Sequence, residues 1–382
     1  MRRVRGPMWQ GGLSAPIGVP PIPPRIFCQR GSGRGQGMTG RVYLDWNATT
    51  PLRDEAREAM LAAMDVAGNP SSVHAEGRAA RGLIEKARAQ VAAAVGCKPA
   101  EVVFTSGATE AAAVLGRLAV AAVRVDATAH DCLWAQRRGE AEAGAGILAW
   151  GYANNETGII AEAPARAAGE MLMLDIVQAV GKVPFSFAWS GADMAILSAH
   201  KFGGPKGVGA LIIRDGVESL PVLTGGGQEM GRRAGTENII GIAGMGAAAA
   251  AAQRDLEAGV MERVGQLRNI LESALSFGGN NTISVGIGDA RLPNTLCLIA
   301  PGWKGETQVM AMDLAGFAVS AGSACSSGKV KASRVLQAMG FDAALAGQAI
   351  RVSLGPLTTE DEVLRFAEVW RAQYQKALSR AA

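Results

Sequence analysis

From Val42 onward the chain alternates short apolar runs with stretches of helical spacing. The first run, Val42-Tyr43-Leu44, leads into Asp45-Trp46-Asn47-Ala48-Thr49-Thr50-Pro51, where Thr50 and Pro51 read as the N-cap and first-turn residues of a helix. That helix is expected over 52–64, closed by Gly68-Asn69-Pro70-Ser71-Ser72, and a second over about 76–95, ending at Gly96. Then follow Val102-Val103-Phe104, a helix over 108–123, and strands from Ile147 to Trp150, Met171 to Leu174, Met194 to Leu197 and Val208 to Ile213. Apolar runs this short, bounded by Gly, Asp or Ser, suit strands buried on both faces and predict a mainly parallel α/β sheet.

The rhythm changes near 240–275, a long Ala-rich helical region. Beyond it, strands near 282–286 and 295–299 mix with helices near 306–316, 332–339 and 359–378, which predicts a second, smaller α/β domain. The expected division is a large domain over 51–250 and a small domain made of 39–50 plus 251–382.

Composition narrows the class. Of 382 residues, 48% are hydrophobic and 19% charged, which excludes disorder for most of the chain, and the 50 glycines lack the fixed period of collagen. No apolar run approaches the roughly 20 residues needed to cross a bilayer. The net charge of +4 comes from residues 1–38, with six arginines and no acid; the remainder holds 32 basic against 34 acidic residues. A pI near 8.9 therefore describes a tail, not a nucleic-acid groove. That segment, with six prolines and eight glycines, is expected to be a disordered tail or a mis-assigned start, with Met38 as the alternative initiator. Five cysteines stand far apart without a C-x-x-C pair, and there are three histidines. A structural zinc site or disulfide framework is not expected, and a reducing, cytoplasmic compartment fits.

Candidate chemistry gathers at four places. Lys201 lies in Ser198-Ala199-His200-Lys201-Phe202-Gly203-Gly204-Pro205-Lys206-Gly207, where a strand gives way to a loop of small residues; a desolvated lysine there can act as a nucleophilic amine or stand as an ordinary surface lysine. Thr105-Ser106-Gly107-Ala108-Thr109-Glu110 opens a helix after a strand, so its backbone amides face an anion such as phosphate. Asp175 ends the strand Met171–Leu174, at the edge where α/β folds bind ligands, and Gln178 follows; an N-cap is the plainer role for Asp175. A lysine, a phosphate cup and a strand-end aspartate are the parts needed to hold pyridoxal phosphate. Cys325 sits among small residues only, Ser320 to Gly328, which suits a reachable thiol, whereas Cys297 stands between Leu296 and Leu298.

In order from Leu44 to about Glu362 the chain carries L-D-W-N-A-T-T-P, G-N-P-S-S-V-H, F-T-S-G-A-T-E, N-N-E-T-G, D-I-V-Q-A-V-G-K, S-A-H-K-F-G-G-P-K-G, G-G-G-Q-E-M-G-R-R-A-G-T-E-N, G-S-A-C-S-S-G and R-V-S-L-G. These motifs resemble those of cysteine desulfurases of the NifS/IscS kind, in the class V aminotransferase group of fold-type I pyridoxal-phosphate enzymes. The resemblance implies that fold, with the cofactor in the large domain and the catalytic cysteine loop in the small one. It implies that Lys201 forms the internal Schiff base and shuttles protons, that Asp175 pairs with the pyridine nitrogen and Gln178 with the ring hydroxyl, and that His130 stacks on the ring. Ala108, Thr109, Ser198 and His200 are then expected to hold the phosphate, joined by Thr236 from the other subunit of a homodimer. Asn155 and Arg351 are expected to hold the substrate carboxylate, an arginine fork fixing orientation as well as charge.

The implied reaction turns L-cysteine into L-alanine. Lys201 removes the α-proton, and the Cys325 thiolate takes the substrate sulfur as a persulfide for an acceptor, an iron–sulfur scaffold or a tRNA-thiolating protein. No resident metal is implied, only transient contact of Cys325 with an iron–sulfur cluster, and neither nucleic acid nor membrane is a direct partner. Two other readings stand beside this one: a selenocysteine lyase or small-amino-acid aminotransferase, and a catalytically idle binding partner of the same fold. The chain departs from the family in several places. Ala129 precedes His130 where glutamate is usual, Met173 stands where a histidine is frequent, and the stretches around His130 and between Gly158 and Met171 are short.

Overall fold

The computed structural model describes residues 40–139, 146–218, 220–221, 223–276, 281–322 and 332–381. The expectations for residues 1–38 and for Cys325 lie outside the described residues.

After strand β1 (Val42–Tyr43) come helices α1 (Asp54–Met64) and α2 (Ala75–Val95). Helix α2 buries Gly77, Ala80, Ile84, Ala87, Val91 and Val95, positions three or four apart that make one apolar stripe. His74 caps its first turn by accepting from the Gly77 amide, and Gly96 ends it in the left-handed conformation at φ 65°. The large sheet follows: β2 (Val102–Thr105), β3 (Ala122–Val125), β4 (Gly146–Gly151), β5 (Met171–Asp175), β6 (Met194–Ser198) and β7 (Gly209–Ile213), in spatial order β2-β7-β6-β5-β4-β3. Strand β7 runs antiparallel to both its neighbours, so β2, β6, β5, β4 and β3 all end on the same edge. The mainly parallel sheet expected from the apolar runs is present, and its strands β6 and β7 are buried at every residue.

Two local expectations are corrected. The helix read over 108–123 is short: α3 spans Ala108–Ala112, a 3-10 turn covers Ala113–Arg117, and residues 122–125 form β3. Gly116 weakens helix continuation, and the β-branched Val123 and Val125 favour an edge strand paired to β4. Thr50 does not cap α1, which starts at Asp54 with Arg53 as N-cap. Thr50 is used elsewhere: its amide donates to His200 O and its hydroxyl to Lys201 O, both at 2.8 Å.

The Ala-rich region is two helices, α5 (Ile239–Glu257) and α6 (Val260–Ser276), divided where Gly259 adopts φ 72°. Helix α5 lies against α1 and α2, and α6 packs its Val264, Leu267 and Leu271 into a second core. That core covers a second sheet, β11-β12-β9-β8, from β8 (Ile283–Ser284), β9 (Thr295–Ile299), β11 (Ser320–Ala321) and β12 (Ala349–Ser353). Helix α7 (Gly305–Leu314) precedes β10 (Phe317–Ala318), while α8 (Arg334–Ala338), α9 (Ala343–Ala346) and α10 (Glu360–Ala381) complete the chain. Strand β1 pairs with β10, and Asp45 bridges Ser353 of β12, which carries residues 45–50 to the end of the large sheet.

Candidate active site

The common edge where β2, β4, β5 and β6 end opens on a cavity of about 640 Å³. Ala108, Thr109, His130, Asn155, Asp175, Gln178, Ser198, His200, Lys201 and Arg351 all line it. They come from both sheets and from the loops between, separated by as many as 243 positions from Ala108 to Arg351. Thr236 does not line it: it borders a smaller neighbouring cavity with Thr105, Ser106 and Gly207. The expectation for Cys325 falls on residues not described.

Each side chain is held by its local backbone. Strand β6 ends at Ser198, and a 3-10 turn over Ala199–Lys201 swings the lysine inward, where its Nζ donates to Asn47 O at 2.8 Å and Ala48 O at 3.0 Å. Gly209 lies opposite: a Cβ there would stand 2.6 Å from Gly107 Cα, so only glycine lets β7 pass the turn that opens α3. The first amides of α3 point out of the helix without a carbonyl one turn back, as phosphate requires. His130 caps the short helix α4 (Asp131–Trp134), its Nδ1 accepting from the Cys132 amide at 3.2 Å.

The electrostatics differ between groups. Asp175 accepts from the Val177 amide at 2.9 Å, and burial pushes its carboxyl upward against the pull of His130 and Lys201. A carboxylate so desolvated is eased into its charged form by a cation placed opposite. His200 is held down to about 4, by burial first and then by Lys201, Lys206 and Lys182, so its ring is neutral at neutral pH. The donor set, an amine, a buried carboxylate and a helix start beside Ser198 and a neutral histidine, fits an aromatic aldehyde that bears a phosphate and a protonated ring nitrogen.

Several site residues went unassigned in the sequence. Asn47 is a hub: its Oδ1 accepts from Lys182 Nζ at 3.1 Å and from Asn294 Nδ2 at 3.0 Å, and its Nδ2 donates to Thr295 Oγ1 at 2.8 Å. The Arg351 fork is engaged within the chain, Nη2 with Asp45 Oδ1 at 2.8 Å and Nη1 with Asn155 O at 3.1 Å, leaving Nε buried without a partner. Cys132 also lines the cavity, and burial keeps it a thiol, as it does Cys97 and Cys297, both pushed up to about 12. Only the L-D-W-N-A motif hinted at Asn47, and nothing in the sequence singled out Cys132.

Glu156, next to Asn155, is the group with the clearest pH signature. Burial pushes its carboxyl up to about 7, although the Ser333 hydroxyl donates to it and Arg351 and Arg334 act in the opposite sense. Between its unfolded value near 4.5 and 7, the folded chain keeps a proton that the unfolded chain has released. Stability is therefore lost as pH rises through this window, by on the order of 3 kcal/mol from this one group. Glu156→Gln is expected to remove that component: thermal midpoints at pH 5 and pH 8 should differ less than in the unsubstituted chain, and an unchanged difference would refute the assignment.

Residues 42–130 and 134–366 match the family described as aminotransferase class-V. The chain belongs to the class V aminotransferase family. Two curated relatives place it further: it is 39% identical to a cysteine desulfurase of Klebsiella pneumoniae, over 85% of this chain and 90% of that one, and 40% identical to a cysteine desulfurase of Frankia sp. (strain EuIK1), over 86% and 90%. Among solved structures, a NifS-like protein from Rickettsia africae ESF-5 superposes with a TM-score of 0.79 at 27% identity, covering 88% of this chain and all of that one. As a class V member the chain has the fold-type I architecture described above, and the cavity lies at the sheet edge where that architecture meets its second sheet.

Proposed function

We propose that the chain is a cysteine desulfurase that converts L-cysteine to L-alanine with pyridoxal 5'-phosphate as cofactor, and that Cys325 receives the sulfur as a persulfide. The observation that carries this reading is the convergence of Lys201, the buried Asp175 and the first turn of α3 on one cavity, in a chain 39% identical to a desulfurase. Pyridoxal phosphate bound there supplies an electron sink for the charge left when cysteine loses its α-proton.

The chain's own groups do the rest. Lys201 is the amine that would hold the aldehyde and the base that would take the α-proton. Asp175 would keep a proton on the ring nitrogen, Gln178 would donate to the ring hydroxyl, and His130 would stand beside the ring. Ala108 and Thr109 at the start of α3, with Ser198 and neutral His200, hold the phosphate, and Thr236 adds a contact across a homodimer. Asn155 and Arg351 orient the substrate carboxylate; Asp45 and Asn155 O engage one hydrogen on each Nη of Arg351, so each Nη keeps a second hydrogen to donate. The Cys325 thiolate attacks the substrate sulfur, the C–S bond breaks with its electron pair going to the β-carbon, and a proton gained at that carbon, with return of the proton from Lys201 to the α-carbon, completes alanine. The described cysteines support giving this role to Cys325, because burial keeps Cys97, Cys132 and Cys297 protonated. In this reading residues 51–250 form the cofactor domain and 39–50 with 251–382 the smaller one, and the persulfide passes to a scaffold for iron–sulfur clusters or to a tRNA-thiolating protein in the cytoplasm.

Incubation with L-cysteine and a thiol reductant should release alanine and sulfide. Cys325→Ala is expected to cut sulfide release at least about a hundredfold while the visible absorbance of the bound cofactor stays. Undiminished sulfide from that variant would move the sulfur chemistry to another group.

A further inference from the structure

Lys182 lies four positions after Gln178, in the turns that follow β5, and takes no part in the reaction proposed above. It is buried, and its Nζ donates to Gln178 Oε1 and to Asn47 Oδ1, the latter at 3.1 Å. The charges that act on it are those of Lys201 and Arg351, and it acts in turn on His200. Burial first, and then these two cations, pull its amine well below the ordinary lysine range.

A primary amide has two unlike ends, one acceptor and one donor. Gln178 Nε2 donates to Asn47 O at 3.1 Å while its Oε1 takes the Lys182 hydrogen. Reversed, the amide would set its oxygen against the Asn47 carbonyl oxygen, and its NH₂ against the Lys182 hydrogens. Asn47 O is itself fixed by Lys201 Nζ at 2.8 Å, and the Asn47 side chain by Asn294 and Thr295. In the observed sense Nε2 keeps a second hydrogen, and Gln178 lines the cavity.

We propose that Lys182 is a positioning residue that fixes the sense of the Gln178 amide, so that its N–H end serves the ring hydroxyl of the cofactor. This rests on the cofactor reading and adds to it the device that orients one of its contacts. Lysine suits the place because its amine donates to both amide oxygens at once.

The test titrates the full chain, freed of cofactor, with pyridoxal phosphate and with the analogue that lacks the ring 3-hydroxyl. Lys182→Met is expected to weaken pyridoxal phosphate about tenfold, the weight of one hydrogen bond to a charged group, and the analogue less than about twofold. Combined with Gln178→Ala, it should cost nothing beyond Gln178→Ala alone. Equal losses for the two ligands, or additive losses in the double variant, overturn the proposal, because a purely structural role moves both ligands alike. Lys182→Leu gives the same comparison should the methionine variant fail to fold. If the unsubstituted chain binds neither aldehyde, the cofactor reading falls and this inference with it; if it binds both and the Lys182 variants treat them alike, this inference falls alone.

Discussion

Lys201→Ala is expected to lower alanine formation from cysteine at least about ten-thousandfold and to abolish the visible absorbance of protein mixed with pyridoxal phosphate, while the fold survives. Two losses combine in that figure: the amine that captures the aldehyde, and the base that takes the α-proton, itself worth about a hundred- to ten-thousandfold. The fold should persist because the turn that presents the lysine is tied through its backbone. The Thr50 hydroxyl holds Lys201 O, and the Phe202 and Gly204 amides donate to Ala199 O. Of the two carbonyls that Lys201 Nζ engages, Asn47 O still accepts from Gln178 Nε2 after truncation. Circular dichroism and a thermal melt beside the absorbance measurement separate lost chemistry from lost structure. A variant that stays yellow after gel filtration, with alanine formation within tenfold of the parent, would give the aldehyde to some other amine.

The largest stability effect is expected at Arg88. On the buried face of α2, its Nη1 and Nη2 meet Glu229 Oε2 and Oε1 at 2.8 and 2.7 Å, with side-chain exposures of 5% and 1%. The same carboxylate takes the Phe104 amide at the core of β2, and Arg88 also donates to Val102 O. Glu229 and Met230 hold φ values of 49° and 58°, a left-handed backbone that non-glycine residues adopt at a cost and that this pair helps to maintain. Arg88→Leu leaves a buried carboxylate without its cation, and is expected to cost about 3–5 kcal/mol of unfolding free energy in a urea titration. Adding Glu229→Gln, which keeps an acceptor for the Phe104 amide but removes the charge, should recover much of that loss. A single Arg88→Leu variant within 1 kcal/mol of the parent would show the pair to be dispensable. The effect should also reach the site: beyond Glu229 the chain runs to Arg233, which pairs with Glu110 of α3 at 3.0 Å, and on to Thr236.

Local residue chemistry made much of this legible in advance. Strands β4, β5, β6 and β7 were visible as short apolar runs because both faces of a central strand are covered, so most positions select for hydrophobicity. The strand-end placement of Asp175 and Lys201 was readable for the same reason, since each polar residue marks where a buried run stops. Strand β3 was misread as helix because an edge strand carries a weaker signal: Arg124 leaves the face and pairs with Glu170, and the Ala-rich approach to it suits a helix equally well. Thr50 and Pro51 imitate a helix start because threonine caps and threonine tethers use the same hydroxyl, and only the spatial neighbour, here Lys201 O, separates them.

The sequence by itself determined the fold class and the family, and it singled out the candidate amine and carboxylate that the cavity brings together, because each depends on residue type and short-range order. The tertiary structure alone decided how those residues bear on one another. Asn47 becomes a hub only when β1 and the Asp45–Ser353 bridge carry it across to the large sheet, and Arg351 finds Asp45 306 positions away. Lys182, an ordinary lysine in any linear reading, becomes a buried donor between two amides and near two cations. Hydrogen bonds and desolvation act over a few ångströms of space, and distance along the chain sets neither.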